Sequence, residues 1–289
     1  MLKAYCGLVK PGIIYGNLVN TMAGFLLACA LQNMFSLSKF LGVMIGTALV
    51  IACGCVVNNY IDRNIDKRMQ RTKNRALVRG DISGRSALIY AAVLGIAGFI
   101  VLWRWTNAPT ILLGTLGLVD YLVAYGYFKR HSPIGTLVGS ISGATPPMAG
   151  YVVVTGGFDL GAVLIFLIFA AWQMPHFYAI ALYRSQEYKA AGIPVVPLVK
   201  GRHYTKVAMM MYIALFTLSC MLLSLFGYTG YVFAIAMGLL GILWLYKGLL
   251  GFKAPDIAAS DRWARGMFGF SLVVTMALVV LLPVGALLP

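Results

Sequence analysis

In the stretch LGVMIGTALVIACGCVVNNYIDRNID, residues 41–66, a long apolar run passes directly into a polar segment. Apolar runs of roughly 18 to 24 residues can cross about 30 Å of hydrocarbon as a helix. Asn58, Asp62 and Asp66 then follow at intervals of four. If the helix continues past the membrane surface, these three side chains line one of its faces. The stretch therefore predicts a membrane helix that ends in an oxygen-rich face.

The whole chain has the composition of a membrane protein. Its 289 residues are 61% hydrophobic and 11% charged, whereas charged residues usually make up about a quarter of a soluble domain. The first apolar run is full length and ends at no cleavage site, so we expect it to remain as a membrane helix. We predict one all-α membrane domain over residues 1–289. Its nine expected spans lie near residues 12–32, 39–61, 86–103, 109–128, 134–155, 160–182, 206–227, 229–248 and 266–288.

The net charge of +15 is distributed unevenly between the two sides of the expected membrane. If nine helices alternate, only Lys39 and Arg104 fall on one side, and all the other basic residues fall on the opposite side. The positive-inside rule then predicts a cytoplasmic amino terminus, cytoplasmic basic loops and a carboxyl terminus on the outer side. A nucleic acid partner is not expected, because the helix end and basic segment over residues 58–80 hold no aromatic platform beyond Tyr60, and the chain has no glycine-rich phosphate loop.

The acidic stripe formed by Asn58, Asp62 and Asp66 has two interpretations. Two carboxylates and an amide offer oxygen ligands suited to Mg²⁺, which often takes its remaining ligands from water and substrate phosphate. Alternatively, the two aspartates are solvated residues at the membrane surface that pair with Arg63 and Lys67.

A basic segment follows the acidic stripe within about a dozen residues. Arginine matches phosphate with a forked donor, and lysine supplies a compact charge. Metal-binding carboxylates beside phosphate-binding cations suit a diphosphate, and a membrane setting suggests that the diphosphate carries an isoprenoid chain. The basic residues are Arg68, Arg71, Lys73, Arg75 and Arg79.

NNYIDRNID (58–66) followed by RTKNRALVRG (71–80) resembles the first aspartate-rich motif of the UbiA superfamily of intramembrane prenyltransferases. The resemblance implies nine transmembrane helices around a central cavity that opens toward the cytoplasmic face and the lipid. In most of that superfamily the second motif is another pair of aspartates. This chain has YGYFKRHS (125–132) instead.

The Y-x-x-x-K-R form, together with WQMPHFYAIALYR (172–184) and AAGIPVVPLVKG (190–201), is similar to the members of that superfamily that act on heme. The resemblance implies that the farnesyl group of farnesyl diphosphate joins a vinyl group of heme B. Water adds in the same reaction, and heme O and diphosphate are released. The resemblance covers essentially the whole chain.

The resemblance assigns expected roles to the motif residues. Asn58, Asp62 and Asp66 would hold Mg²⁺, and Asp62, Asp66, Tyr125 and Lys129 would form the catalytic group. Tyr125 lies four residues before Lys129, so both share a helical face. Alternatively, Tyr125 belongs to an interfacial aromatic belt, and Lys129 with Arg130 only marks topology. The expected diphosphate contacts are Asn58, Arg71, Lys73, Arg75 and Arg130, the last of which could instead meet a heme propionate.

The candidate heme contacts are His176, His131 and Arg184. Imidazole is a common axial ligand of heme iron, and His176 follows Pro175 near the end of an apolar, aromatic helix. His131 lies in the second motif and could equally contact diphosphate. His203 has the setting of an exposed loop residue.

Two alternative functions remain open. One is a UbiA-type prenyltransferase that acts on an aromatic or quinone precursor, for which a second pair of aspartates would be diagnostic. The other is a membrane transporter or heme-handling protein without chemistry, although transporters usually bind solutes near the bilayer midplane. No sequence feature identifies an association with heme A synthase or a terminal oxidase.

Overall fold

The computed structural model describes residues 2–289, and within that range nine helices are long and apolar enough to cross a membrane. The nine predicted spans are thereby confirmed, although α2 continues to Asp66 and α9 begins earlier than predicted. The helices are α1 (Pro11–Gln32), α2 (Leu37–Asp66), α3 (Gly84–Trp105), α4 (Ala108–His131), α5 (Gly135–Thr155), α6 (Leu160–Tyr183), α7 (Arg202–Leu225), α8 (Tyr231–Lys253) and α9 (Ile257–Gly285).

The helix starts follow from local sequence. Pro11 occupies the first turn of α1, where its missing N–H is not needed for helical bonding. Five other helices are preceded by a capping residue. Its side chain accepts a hydrogen bond from the backbone N–H three residues later, which satisfies one of the free donors of the first turn. These caps are Ser36, Ser83, Asn107, Asp159 and Asp256.

Helix packing brings together elements that are distant in sequence. Helix α1 packs against α5 and α9, α2 packs against α3, and α6 contacts α5, α7 and α9. The approach of α1 to α5 is very close, since a Cβ atom at Gly24 would overlap the carbonyl oxygen of Pro147 and one at Gly150 would overlap that of Thr21. Small residues allow such backbone contact between membrane helices.

A cavity of about 660 Å³ lies among the first six long helices. No residue of α7, α8 or α9 belongs to its lining in the described part of the chain. The short helix Ser185–Ala191, which follows α6, contributes Tyr188 to the lining. The expected fold, a bundle of nine helices with a central cavity, is confirmed.

Candidate active site

The acidic stripe is a continuous face of α2. The helix runs without interruption to Asp66, whose carbonyl oxygen accepts a hydrogen bond from the Thr72 hydroxyl. Asn58, Asp62 and Asp66 all line the cavity, and only 3%, 3% and 4% of their surfaces are exposed. The two aspartates are therefore not solvated residues at the membrane surface.

Each member of the acidic stripe has a basic partner. Asp62 accepts hydrogen bonds from Lys129 Nζ at 2.5 Å and from the Arg130 guanidinium at 2.8 Å. Asp66 accepts one from Arg75 at 2.6 Å. The alternative pairing with Arg63 and Lys67 is wrong for the described structure. Arg63 donates instead to the Tyr60 carbonyl oxygen, and Lys67 is exposed.

A third basic group reaches the stripe from the start of the chain. Lys10 Nζ donates to Asn58 Oδ1 at 2.9 Å, and the segment before it is tied to α2 by the Asn59 amide, which donates to the Leu8 carbonyl oxygen. Lys10 has a left-handed backbone (φ 51°), a conformation that is uncommon outside glycine. Burial lowers the pKa of Lys10 to about 8, because a buried environment disfavours the charged ammonium.

The second motif reaches the stripe through a π-helical turn in α4. Residues Asp120–Ala124 form this turn, and the Tyr125 N–H bonds to the Asp120 carbonyl oxygen five residues earlier. The wider turn changes the helix register directly before the motif, as π-bulges at functional sites often do. The Asp120 carboxylate accepts a hydrogen bond from the backbone N–H of Ser142 in α5.

Aromatic rings lie beside the ion pair of Lys129 with Asp62. The Tyr125 ring stacks on Tyr121 with centroids 5.6 Å apart, and Lys129 Nζ lies 5.7 Å from the Tyr125 centroid. Both tyrosines line the cavity. A Cβ atom at Gly139 would overlap the Tyr125 ring, so this glycine allows the ring to lie against α5.

The basic loop after α2 places only some of its cations in the cavity lining. Arg71 and Arg75 line the cavity, whereas Lys73 is exposed and outside the lining. Arg79 pairs with Asp81 in the same loop, and Arg68 is exposed. The structure therefore brings together two of the three expected loop cations.

The inner part of the cavity is mostly apolar and aromatic. An apolar chain attached to a diphosphate could lie along this lining while its headgroup meets the acidic stripe. Tyr188 lies closer to the headgroup end, near Arg71 and Lys129, and burial raises the pKa of its hydroxyl. The apolar lining includes Val50, Ile51, Leu113, Leu118, Phe169 and Trp172.

Only one of the three candidate heme contacts lines the cavity. His176 belongs to the lining, between Gln173 and Phe177. His131 is exposed, stacks on Tyr127 and donates through Nδ1 to the Tyr127 carbonyl oxygen. Arg184 lies outside the lining and pairs with Glu187 at 2.8 Å.

The oxygen atoms of the acidic stripe fit an Mg²⁺ ion that takes only part of its ligand shell from the protein. Residues 2–289 contain no cluster of three or more histidine, cysteine, aspartate or glutamate side chains that could enclose a metal. Mg²⁺ does not require such a cage, because it commonly binds one or two carboxylates and completes its shell with water and phosphate. Asp62 and Asp66, with the amide oxygen of Asn58, match that partial set.

Two contacts of the site residues were not predicted from the sequence, one made by Lys10 in the cavity lining and one made by Ser271 outside it. The charge pattern counts Lys10 only among the topology charges, whereas in the structure this lysine, directly before the first membrane helix, contacts Asn58. Ser271 of α9 was not singled out, and it contacts His176 across 95 residues. A lone serine in an apolar helix gives no signal of such a contact.

Comparison with known proteins matches residues 17–282 to the UbiA prenyltransferase family. The protoheme IX farnesyltransferase of Escherichia coli strain K12 is 47% identical over 291 residues, which covers 100% of this chain and 96% of the relative. The protoheme IX farnesyltransferase of Shigella boydii serotype 4 strain Sb227 shows the same identity and coverage.

Solved structures share the fold at lower identity. A digeranylgeranylglyceryl phosphate synthase superposes with a TM-score of 0.80 at 20% identity, covering 99% of this chain and 98% of the other. A UbiA homologue from Archaeoglobus fulgidus bound to GPP and Mg²⁺ gives a TM-score of 0.71 at 14% identity, covering 94% and 99%.

Proposed function

The chain belongs to the UbiA prenyltransferase family, and on this premise we propose that it transfers the farnesyl group of farnesyl diphosphate to a vinyl group of heme B. Water adds in the same reaction, and the products are heme O and diphosphate. The observation that carries the proposal is the buried acidic stripe, in which Asp62 and Asp66 face the cavity with basic partners. The name shared by relatives at 47% identity supports the choice of heme B and farnesyl diphosphate.

Asn58, Asp62 and Asp66 would hold Mg²⁺ at the headgroup. Mg²⁺ bound there would act as a Lewis acid that withdraws negative charge from the departing diphosphate. This proposal draws support from the homologue bound to GPP and Mg²⁺, which shares the fold. The apolar inner wall would receive the farnesyl chain and exclude bulk water from the allylic carbon.

The basic partners exchange ligands when the headgroup binds. Lys129, Arg130 and Arg75 each occupy a carboxylate oxygen in the described structure. A diphosphate offers them oxygens of higher charge, so they turn from the aspartates to the phosphates and free the carboxylates for the metal. The positive groups are then in place where the leaving group gains negative charge, which is the preorganised stabilisation that most lowers such barriers.

The Tyr125 ring supports the cationic stage of the reaction. Loss of diphosphate leaves an allylic cation, which the vinyl carbon attacks, and an aromatic face attracts a nearby cation. The stacked Tyr121 holds the Tyr125 ring in position. Arg71, which lines the same cavity, adds a further contact to diphosphate. Lys73 is exposed and outside the lining, so it would be an outer contact of the diphosphate.

The porphyrin would enter beside α6, where His176 faces the cavity. Arg184 and His131, both outside the lining, would meet the propionates near the surface. The protein would lie in a bacterial inner membrane, and the basic loops would be cytoplasmic under the positive-inside rule. The active site would then draw both substrates from the cytoplasmic side and the lipid.

The decisive experiment incubates purified protein with heme B, farnesyl diphosphate and Mg²⁺, and analyses the extracted heme by mass spectrometry. We expect heme that has gained one farnesyl group and one water. Asp62→Asn protein provides the matched inactive control. A folded wild-type sample that leaves heme B unchanged but prenylates an aromatic acid or quinone precursor would overturn the assignment of the acceptor.

A further inference from the structure

His176 is joined to α9 by a hydrogen bond whose direction can be determined. His176 Nδ1 lies 2.8 Å from Ser271 Oγ, and Ser271 Oγ lies 2.6 Å from the Phe268 carbonyl oxygen. A carbonyl oxygen only accepts, and a serine hydroxyl has one proton. Ser271 therefore donates to Phe268, and its oxygen accepts the proton on His176 Nδ1. In the neutral ring, the lone pair is then on Nε2.

The packing around the ring holds this tautomer and its orientation. Trp172 stacks on the imidazole with centroids 5.1 Å apart, and Phe268 lies against it at 4.8 Å. The Trp172 indole N–H donates to the Ser271 carbonyl oxygen at 2.8 Å. Ser271 is fully buried. Its hydroxyl oxygen holds the His176 side chain, and its carbonyl oxygen holds the Trp172 side chain. Rotation of the imidazole would break these contacts.

The bond at Nδ1 leaves Nε2 as the ring nitrogen that can serve a ligand in the cavity. His176, Trp172 and Phe177 all line that cavity, and residues 2–289 provide no hydrogen-bond partner for Nε2. Histidines that bind metals nearly always donate their other ring N–H to an oxygen, which fixes the tautomer and raises the basicity of the ligating nitrogen. The contact from His176 to Ser271 has this form.

We infer that His176 Nε2 is an axial ligand of the iron of the bound porphyrin, and that Ser271 is the positioning residue that keeps Nε2 unprotonated and correctly oriented. This inference rests on the proposed function, because it takes heme B as the substrate. It assigns a role to α9, which otherwise lies outside the cavity. Iron ligation would hold the porphyrin at a fixed depth, so that one edge is presented to the allylic carbon.

The test titrates ferric heme B into purified wild-type protein without farnesyl diphosphate and records absorption and electron paramagnetic resonance spectra. We expect the signature of an imidazole-ligated iron. His176→Ala should lose that signature, and added free imidazole should restore it by occupying the space left by the side chain. An unchanged spectrum in His176→Ala would overturn the inference.

Ser271→Ala tests the positioning role. It should weaken heme affinity by about tenfold to a hundredfold, as loss of a partner of a metal-binding histidine typically does, whereas Ser271→Thr retains the hydroxyl and should retain affinity. Ser219→Ala is the matched control, because Ser219 is a buried serine of α7 that donates to the Leu215 carbonyl oxygen and has no ring partner. Equal heme affinities for Ser271→Ala and Ser219→Ala would contradict the positioning role of Ser271.

The same samples separate this inference from the proposed function. Wild-type protein that produces farnesylated heme, while His176→Ala keeps the wild-type spectrum, would overturn iron ligation and leave the function intact. Wild-type protein that shows the imidazole signature but yields no farnesylated heme would overturn the function and leave ligation intact.

Discussion

Lys129 Nζ donates to Asp62 Oδ2 at 2.5 Å across 67 residues, and this bond joins the two polar motifs of the chain. Arg130 bonds to the other oxygen of the same carboxylate. In most of the superfamily, the second motif is an acidic pair. Here its basic residues pair with Asp62 of the first motif, and that carboxylate would have to take another partner before they could bind phosphate.

Lys129→Met tests how the ammonium contributes to thermal stability and to turnover. Removal of the ammonium leaves Asp62 with Arg130 alone, so we expect a lower thermal unfolding midpoint and turnover reduced by about a hundredfold or more. The double variant Asp62→Asn/Lys129→Met also takes the carboxylate from Arg130, so it should recover neither the midpoint nor the turnover. Wild-type rates of diphosphate release in Lys129→Met would show that the ammonium has no direct role.

Asp66→Asn should abolish most activity because it removes a proposed metal ligand and the partner of Arg75. We expect turnover to fall by about 10² to 10³, the range seen when one preorganised electrostatic group is lost. Asp81→Asn is the matched control, since Asp81 also pairs with an arginine of the same loop but is exposed. Similar rates for the two variants would contradict the assignment of Asp66.

Mg²⁺ and diphosphate should stabilise the protein cooperatively. Each oxygen-bearing member of the stripe already accepts from a basic group, so Mg²⁺ alone must displace cations that have no other anion to bind. With inorganic diphosphate present, those cations gain phosphate oxygens. We expect the unfolding midpoint to rise far more with both together than with the sum of the separate shifts, as ligand linkage requires.

Thermal unfolding in detergent can measure this, with a chelator added to reverse the shift. Asp62→Asn serves as the control that should lose the cooperativity. A full shift with Mg²⁺ alone would show that the metal site is already free in the protein without substrate.

Lys10 should make diphosphate affinity depend on pH. Burial lowers its pKa to about 8, and a bound anion nearby raises that pKa, so binding takes up a proton above about pH 8. Affinity should therefore fall as pH rises from 8 toward 9.5, by at most about tenfold per pH unit. Calorimetric titration with inorganic diphosphate and Mg²⁺ measures the change.

Lys10→Arg should flatten this dependence, because a guanidinium stays charged over the whole range. Ionisation of the diphosphate itself affects both proteins equally, so the informative quantity is the difference between the two curves. Lys3→Arg, which changes an exposed lysine of the same segment, should leave the wild-type dependence in place. Parallel curves for wild-type and Lys10→Arg would exclude Lys10 from the headgroup site.

Local periodicity explains why part of the site could be read from sequence. Asn58, Asp62 and Asp66 share a face because a helix places residues four apart side by side, and the structure has them on one buried stripe. The resemblance to the superfamily supplied the second motif. Its orientation could not be predicted, because the π-helical turn Asp120–Ala124 alters the register directly before Tyr125.

Apolar run length and helical spacing were enough to predict the number of membrane helices and the helix face shared by Asn58, Asp62 and Asp66. The partners of these residues follow from the packing of the whole bundle. This packing paired Asp62 with Lys129 instead of Arg63, brought Lys10 to Asn58, left Lys73 outside and set Ser271 against His176. Partner choice depends on how helices distant in sequence pack together, and that packing is a property of the whole bundle.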